Sequence, residues 1–253
     1  MNLEIIHVGE LGTNCYVTWD DQKNCVVVDC GGDARKVADY IEEHGLHPTH
    51  LLLTHGHGDH MGGAADLKDI YPQIQIVLGK KDLEMIGDGE KSMSNYVAPN
   101  ARPFTPDLLV EEGDCITSGN MKFTVMETPG HTKGGVSYLK GNEIYCGDTL
   151  FQGSMGRTDL YGGDEKALFH SLAKMGALTG YYKIFPGHGT ATNLDDEKLA
   201  NPFLKRAIQM ANASSEQTHL FLRKGERGAY DNKEYRTQHE VRGGVCRHAV
   251  FSR

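Results

Sequence analysis

Short hydrophobic runs separated by glycine, asparagine and aspartate turns dominate the first third of the chain. Leu3 to Val8, Cys15 to Trp19 and Cys25 to Val28 predict short antiparallel strands, because strand-forming residues are bounded there by turn-forming ones. The run from His50 to Thr54 contains three consecutive leucines and predicts a buried strand. Ile74 to Leu78 predicts another. The pattern therefore indicates a β-sheet in the N-terminal part of the chain.

Helical patterns lie between these strands, and a second series of strands follows. Asp33 is predicted to cap a helix that runs to about His44, and Asp164 to cap one that runs to about Met175. From residue 108 to 146, apolar and polar positions alternate with the period of two that is typical of strands. Strands mixed with helices in this order predict an α/β (α+β) fold with helices outside a sheet core. The remaining predicted elements are helices over 63–70 and 80–86, a long loop over 87–106 and a strand over 181–185.

Composition is that of a globular protein with a sizeable core. Hydrophobic residues make up 39% of the 253 positions, and the 31 glycines suit many tight turns between elements. No hydrophobic run approaches the length of a transmembrane helix, and the N-terminus has no basic or apolar leader. We therefore expect a cytoplasmic protein that has no membrane partner.

The charge distribution sets the last fifty residues apart. Residues 204–253 contain ten Lys or Arg and five Asp or Glu, so they carry a net +5 while residues 1–203 carry −13. A basic tail can bind nucleic acid, but we favour its folding back onto the acidic body of the protein. Lys205 to Ala213 could extend a helix, whereas residues 214–253 are polar and weakly periodic.

The candidate chemistry begins directly after the predicted strand at 50–54. His55, His57, Asp59 and His60 lie within seven residues that also contain two glycines. Neutral imidazole nitrogen and carboxylate oxygen are the ligands that Zn²⁺ and similar divalent ions prefer. A catalytic ion normally takes three protein ligands and keeps one position open, so four candidates in one segment indicate two ions. The alternative interpretation is an exposed histidine-rich segment without a defined site.

Three later strand-like runs each end in a glycine-containing turn with one further candidate ligand. These ligands are His131, Asp148 and His188. Any one of them alone would be typical of an ordinary turn or cap residue. Their shared position after a strand, together with the first motif, argues against coincidence and makes them candidate ligands as well. Cys146 alternates with Asp148 and could face the same site, but we favour a packed thiol.

The combined set resembles the ligand set of the metallo-β-lactamase superfamily. Within it, the chain is most similar to the glyoxalase II (hydroxyacylglutathione hydrolase) branch, especially its short bacterial type. The resemblance implies a four-layer αβ/βα sandwich over residues 1–204 with the metal site at the sheet edge, and it leaves residues 205–253 as a basic C-terminal extension of unknown role. The stretches that carry it are Thr54 to His60, Thr128 to Thr132, Cys146 to Phe151, Gly156-Arg157, Pro186 to Gly189 and Asn201 to Leu204.

The resemblance also implies roles for seven residues. It assigns His55, His57 and His131 to a first metal ion and Asp59, His60 and His188 to a second, with Asp148 bridging the two. Zinc is the expected metal, and iron and manganese are the alternatives. A metal-bound hydroxide would attack the carbonyl of a small-molecule thioester such as S-lactoylglutathione, with Asp59 and Asp148 as the catalytic carboxylates. The oligomeric state stays open.

Recognition of the substrate is less well determined by the residues. Arg157 is similar to a basic position that contacts glutathione in glyoxalase II enzymes, although a loop cation in solvent is the alternative. Gly189-Thr190 stands where the longer enzymes carry Glu-Tyr, and their C-terminal helical domain is not recognisable here. The thiol part of the substrate therefore stays open. Thr54 and Thr132 are either partners of the ligand histidines or ordinary strand-end residues.

Other functions on the same fold are alternatives. The stretch from Gly156 to Asp159 resembles mononuclear-iron persulfide dioxygenases as well as the short hydrolases. The basic tail suggests a nuclease, but the acidic body counts against nucleic-acid binding. A lactonase or a β-lactamase is a further alternative, and the lack of an export signal counts against the β-lactamase. A non-catalytic binding module would normally have lost a ligand, and all seven are present.

Overall fold

The strand-forming runs assemble into two six-stranded sheets in the computed structural model, which describes residues 2–213. The first sheet has the order β1-β2-β3-β4-β5-β6, and the second has the order β14-β13-β10-β9-β8-β7. A separate hairpin pairs β11 with β12. The strands are β1 Leu3–Val8, β2 Thr13–Trp19, β3 Asn24–Val28, β4 His47–Leu52, β5 Gln75–Gly79, β6 Leu108–Val110, β7 Cys115–Ser118, β8 Met121–Glu127, β9 Val136–Lys140, β10 Glu143–Gly147, β11 Leu150–Phe151, β12 Ser154–Met155, β13 Lys183–Pro186 and β14 Thr192–Asn193.

A helix lies near each predicted position, but the helices Gly58–Met61, Ser94–Val97 and Leu194–Ala200 were not predicted, and Ser94–Val97 lies within the predicted loop over 87–106. Asp164 caps its helix as predicted, because its side chain accepts a hydrogen bond from the Ala167 backbone N–H. The predicted cap at Asp33 is wrong: Asp33 has a left-handed backbone (φ 47°), and its carboxylate accepts from the N–H of Gly9 instead. The helices are α1 Ala34–Glu43, α2 Gly58–Met61, α3 Ala64–Ile70, α4 Ser94–Val97, α5 Glu165–Gly176 and α6 Leu194–Ala200, with a 3-10 helix over Lys80–Met85.

Three hydrophobic clusters hold the layers together. Side chains of both sheets, such as Val28 and Phe123, form the central cluster between them. A second cluster joins the outer face of the first sheet to α1 and α3, and a third joins the outer face of the second sheet to α5 and α6. Each sheet therefore has one face on its partner and one on helices. This confirms the predicted four-layer αβ/βα sandwich.

The last described segment is helical and packs on the body of the protein. Residues 202–213 are helical, as predicted for 205–213. Leu204 and Ala207 are buried in the cluster on the outer face of the second sheet. The predicted extension lies largely outside the described residues, since these end at 213, so its division from residues 1–204 stays a prediction. Within residues 2–213, no helix is long and apolar enough to cross a membrane.

Candidate metal centre

Strand direction explains how distant parts of the chain reach one site. β3 and β4 run parallel in the first sheet, and β10 and β13 run parallel in the second. β8 runs the same way as β10, because both are antiparallel to β9. The segments that follow β4, β8, β10 and β13 carry all seven predicted ligands, with Asp59 and His60 in the short helix α2. These segments meet at one edge of the sandwich, as the resemblance implies.

The seven residues form overlapping sets whose candidate ligand atoms lie within 4.8 Å of one another. We call His55, His57 and His131 the first group, and Asp59, His60 and His188 the second group. A third set, His55, His60 and Asp148, connects them.

In the first group, partners behind two of the rings leave the opposite nitrogens free to face a shared centre. The Thr54 hydroxyl donates to Asp29 at 2.8 Å, so at 3.1 Å it accepts from Nδ1 of His55. Nδ1 of His131 donates to the backbone carbonyl of Arg157 at 2.7 Å. Nε2 of His131 then lies 2.9 Å from Nδ1 of His57. Two nitrogens bound to one tetrahedral zinc at ordinary Zn–N lengths would be about 3.3 Å apart, so the spacing fits a shared ion.

In the second group, the partner behind one ring is a carboxylate instead of a neutral hydroxyl or backbone carbonyl. Nδ1 of His60 lies 2.8 Å from Oδ2 of Asp29, which leaves Nε2 of His60 facing Nε2 of His188 at 3.3 Å. That nitrogen of His188 is 3.1 Å from Oδ2 of Asp59. When a carboxylate accepts a hydrogen bond from the rear N–H of a ligand histidine, it fixes the ring and raises its basicity as a ligand.

Asp148 lies between the two groups. Its Oδ1 is 3.3 Å from Nε2 of His60, and its Oδ2 is 3.5 Å from Nε2 of His131. Gly187 permits this position, because a Cβ there would come within 2.2 Å of Oδ1 of Asp148. Because Oδ2 is also 3.7 Å from Nε2 of His188, this carboxylate lies close to residues of both groups.

The polar atoms of the site fit a divalent cation. Among the described residues, four buried side-chain nitrogen or oxygen atoms have no hydrogen-bond partner, and two of them, Nε2 of His55 and Oδ1 of Asp148, are candidate ligand atoms. A third, Nε2 of His57, is on the side of the ring opposite the nitrogen that faces His131. Burying such atoms without a partner costs free energy. Imidazole and carboxylate donors that converge in this way are the ligands expected for zinc or a similar ion.

Burial and charge adjust the ionisation of the site. Burial lowers the pKa of His57 to about 3 and that of His55 well below its usual range, so both rings are neutral, as metal ligands must be. Burial also opposes charge on His60, but Asp148 and Asp59 outweigh it and raise the pKa of His60 well above the usual value. The carboxylates thus give the second group the more negative electrostatic potential.

Two buried aspartates that contact the ligand loops were not found from the sequence. Asp29 accepts hydrogen bonds from the backbone and hydroxyl of Thr54 besides its contact with His60. It follows the buried strand β3 directly, so the strand-end pattern that marked Asp148 could have marked it too. Asp82 lies in the 3-10 helix after β5, where two lysines precede it and make the segment resemble a solvated surface.

The structure decides between the two interpretations of Thr54, Thr132 and Cys146. Thr54 contacts a ligand ring, whereas the Thr132 hydroxyl donates to Asp82 at 2.7 Å rather than to a histidine. The Cys146 thiol is buried and lies 3.3 Å from the carbonyl of Leu150, which agrees with the packed-thiol interpretation.

Arg157 takes part in the site through its backbone. Its side chain is 61% exposed and forms two hydrogen bonds with Asp159, at 2.7 and 2.8 Å. Its carbonyl is the acceptor for His131. The loop that carries this arginine is therefore connected to a predicted metal ligand, while the guanidinium faces solvent.

Comparison with known proteins agrees with this site. The sequence model of the metallo-beta-lactamase superfamily matches residues 8–188. Hydroxyacylglutathione hydrolase GloC of Haemophilus influenzae is 36% identical over 208 residues, which are 81% of this chain and 98% of that protein. The crystal structure of BLEG-1 B3 metallo-beta-lactamase has a TM-score of 0.75 at 35% identity and covers 80% of this chain and 99% of its own. TTHA1623, crystallised in a di-iron-bound form, has a TM-score of 0.71 at 33% identity, with coverages of 79% and 99%. The chain belongs to the metallo-β-lactamase superfamily, and its relatives include glyoxalase II-type hydrolases.

Proposed function

We propose that this protein is a dinuclear metallohydrolase that cleaves a hydroxyacylglutathione-type thioester, such as S-lactoylglutathione, to a hydroxy acid and a free thiol. The observation that carries the proposal is the pair of three-residue donor groups with Asp148 between them. Membership of the superfamily supports a metallohydrolase. The similarity to GloC over nearly the whole of that protein supports a thioester as the substrate. Cytoplasmic location stays part of the proposal.

In this proposal each donor group holds one divalent ion and Asp148 contacts both. Bound divalent ions supply Lewis-acid polarisation of a carbonyl and a nucleophile from water near neutral pH. Zinc is the proposed metal because imidazole and carboxylate suit it. Iron is the main alternative, since TTHA1623 was crystallised with two iron ions, and manganese is a further one.

Asp59 is proposed to orient the attacking water. Burial opposes ionisation of Asp59, but the neighbouring His60 and His188 outweigh it and hold its pKa below the usual value. The carboxylate is therefore an ionised acceptor at neutral pH. Its Oδ2 is held by His188 and lies 3.5 Å from the hydroxyl of Thr13. An oriented acceptor beside the reacting carbonyl directs the water toward it.

Arg157 is proposed to bind a carboxylate on the thiol part of the substrate. Its guanidinium suits a bidentate contact. The present partner, Asp159, forms an exposed ion pair with it, and such pairs contribute little free energy. A substrate carboxylate could therefore replace Asp159 at small cost.

The test is hydrolysis of S-lactoylglutathione by the purified full chain, reconstituted separately with zinc and with iron. We expect zinc-supported turnover, with metal-free protein and Asp148→Ala as the inactive controls. Absence of turnover in a protein that binds two ions would discard the thioester and keep the metal centre. Oxygen uptake with glutathione persulfide, supported by iron alone, would replace the hydrolase with a persulfide dioxygenase.

A β-lactam is the second candidate substrate. The similarity to BLEG-1 B3 metallo-beta-lactamase favours it, because that structure is 35% identical over most of this chain. A chromogenic cephalosporin in the same assay separates the two candidates. Cephalosporin turnover that exceeds thioester turnover in kcat/KM would make the β-lactam the better substrate.

A further inference from the structure

Asp82 is a fully buried carboxylate that belongs to neither donor group. It lies in the 3-10 helix after β5, 26 residues from Gly56 and 52 from Gly134. Three hydrogen-bond donors surround it. Its Oδ1 accepts from the N–H of Gly134 at 2.6 Å, and its Oδ2 accepts from the N–H of Gly56 at 3.0 Å and from the Thr132 hydroxyl at 2.7 Å. One carboxylate is thus shared between two loops.

Both loops carry ligands of the first group. Gly56 lies between His55 and His57, while Thr132 follows His131 directly and Gly134 lies three residues after it. Among the described residues, the hydrogen bonds of the Asp82 carboxylate all go to these two loops. The carboxylate therefore joins the two segments whose separation sets the distance between the first-group nitrogens.

The local packing requires this close approach. A Cβ at Gly134 would lie 2.4 Å from the Asp82 backbone nitrogen and 2.7 Å from its Oδ1. A Cβ at Gly56 would lie 3.0 Å from Met85, in the same 3-10 helix, and 3.3 Å from Cβ of Asp82. Glycine at both positions lets the two loops come within hydrogen-bond distance of Asp82. A larger side chain at either position would push Asp82 away.

We propose that Asp82 is a positioning residue for the first donor group, holding the loop of His55 and His57 at a fixed distance from the loop of His131. The proposal rests on the proposed metal centre and deepens it. A charged acceptor with three donors makes stronger hydrogen bonds than a neutral one. Preorganised loops spare the metal the cost of ordering its ligands, so Asp82 should affect the affinity of the first group and leave the second group unchanged.

A purely structural role is the competing explanation. A buried aspartate that joins loops would lower thermal stability on substitution without distinguishing the two groups. Asp20 provides a matched control, because it is also buried and accepts from the backbone N–H groups of Gln22, Asn24 and Asn120. Asp20 follows the end of β2 that lies about 20 Å, measured along the strand, from the sheet edge that carries the metal site.

The experiment measures zinc affinity of the full chain by competition with a chromophoric chelator in two backgrounds, each of which lacks one ligand of one group. His188→Ala leaves the first group intact, and His55→Ala leaves the second group intact. In the His188→Ala background we expect Asp82→Asn to weaken zinc binding roughly 10-fold, which is typical when a residue that supports a metal ligand is substituted. In the His55→Ala background we expect Asp82→Asn to leave the zinc affinity unchanged. Asp20→Asn should lower the melting temperature and leave both affinities at their starting values.

A second pair of variants covers the case in which Asp82→Asn fails to fold. Thr132→Val removes one donor to Asp82 at nearly constant volume, and Thr132→Ser keeps the hydroxyl. We expect Thr132→Val to weaken zinc binding in the His188→Ala background and Thr132→Ser to retain it. Unchanged affinity in Asp82→Asn or Thr132→Val, or equal loss in both backgrounds, would overturn the positioning role.

These affinities do not depend on which substrate is hydrolysed. If the wild-type chain binds zinc and cleaves no thioester, the proposed substrate fails and the test of Asp82 is unaffected. If the wild-type chain binds only one ion, the dinuclear centre fails. The His188→Ala background then still decides the role of Asp82 at the first group.

Discussion

The two donor groups of the metal centre differ in what holds them and in how far solvent reaches them. In the first group, a hydroxyl and a backbone carbonyl support the rings of His55 and His131, and all three histidines are buried. In the second group, the carboxylate of Asp29 supports His60, and the side chain of His188 is 28% exposed. The first group is thus enclosed and held by neutral partners, whereas the second is more charged and partly open.

This difference gives the two groups different roles: the first holds its ion firmly, and the second leaves room for solvent or substrate. An enclosed set of neutral imidazoles favours a firmly held ion, because its ligands are already fixed and need no deprotonation. An exposed histidine such as His188 can move away from an ion at lower cost, and its exposure leaves room for solvent or substrate. We therefore expect the second group to be the more labile one. Four experiments test this comparison, from the largest expected effect to the smallest.

Asp148→Ala should remove the one carboxylate that faces both groups. We expect turnover to fall by more than about 100-fold, since even residues that only support ligands cost roughly 10- to 100-fold. Metal analysis should find fewer than two ions per chain. Asp195→Ala, an exposed position in the first turn of α6, is the control and should behave as wild type. Wild-type turnover in Asp148→Ala would remove Asp148 from its proposed bridging role.

Asp29→Asn should weaken the second group more than the first. The amide cannot supply the charge that Asp29 presents to Nδ1 of His60, and we expect a roughly 10- to 100-fold loss of zinc affinity there. Competition with a chelator in the His188→Ala and His55→Ala backgrounds measures each group separately. Equal losses in both would show that Asp29 acts mainly through Thr54 and would weaken the distinction between the groups.

Removal of metal by an excess of chelator should proceed in two phases. We expect the ion of the second group to leave first, with rates separated by roughly 10-fold, which corresponds to a barrier difference of about 1.4 kcal/mol. Stopped-flow absorbance of the chelator complex measures both phases. His55→Ala should show the fast phase alone and His188→Ala the slow one. The opposite assignment would contradict the link between exposure and lability.

Arg157→Ala should have the smallest effect and should leave both groups intact. Its backbone carbonyl, which holds His131, survives the substitution, so kcat should stay within about twofold while KM rises roughly 5-fold. Arg157→Lys keeps the charge and should give an intermediate KM. Steady-state kinetics with S-lactoylglutathione measure both constants, and an unchanged KM would place Arg157 outside the substrate site.

The strands and the candidate ligands could be predicted because their signals are local. The strand Leu3–Val8 and the cap at Asp164 have the predicted positions. Asp33 also stands at the predicted N-cap position, but its side chain does not cap the helix, because a contact with Gly9, 24 residues away, takes its carboxylate. Competition from such a distant partner leaves no mark on the residues around Asp33.

By itself, the sequence determined which donors are present and that they follow strands, since side-chain chemistry and hydrophobic period are properties of neighbouring residues. Only the tertiary structure decided what stands behind each donor. Asp29 reaches His60 across 31 residues, and Asp82 reaches Gly134 across 52. The acceptor for His131 is a backbone carbonyl 26 residues away, and every residue has one. The strand-end position of Asp29 could mark it as a candidate, but no sequence signal shows which donor each partner meets, because folding, rather than residue type, selects which groups meet.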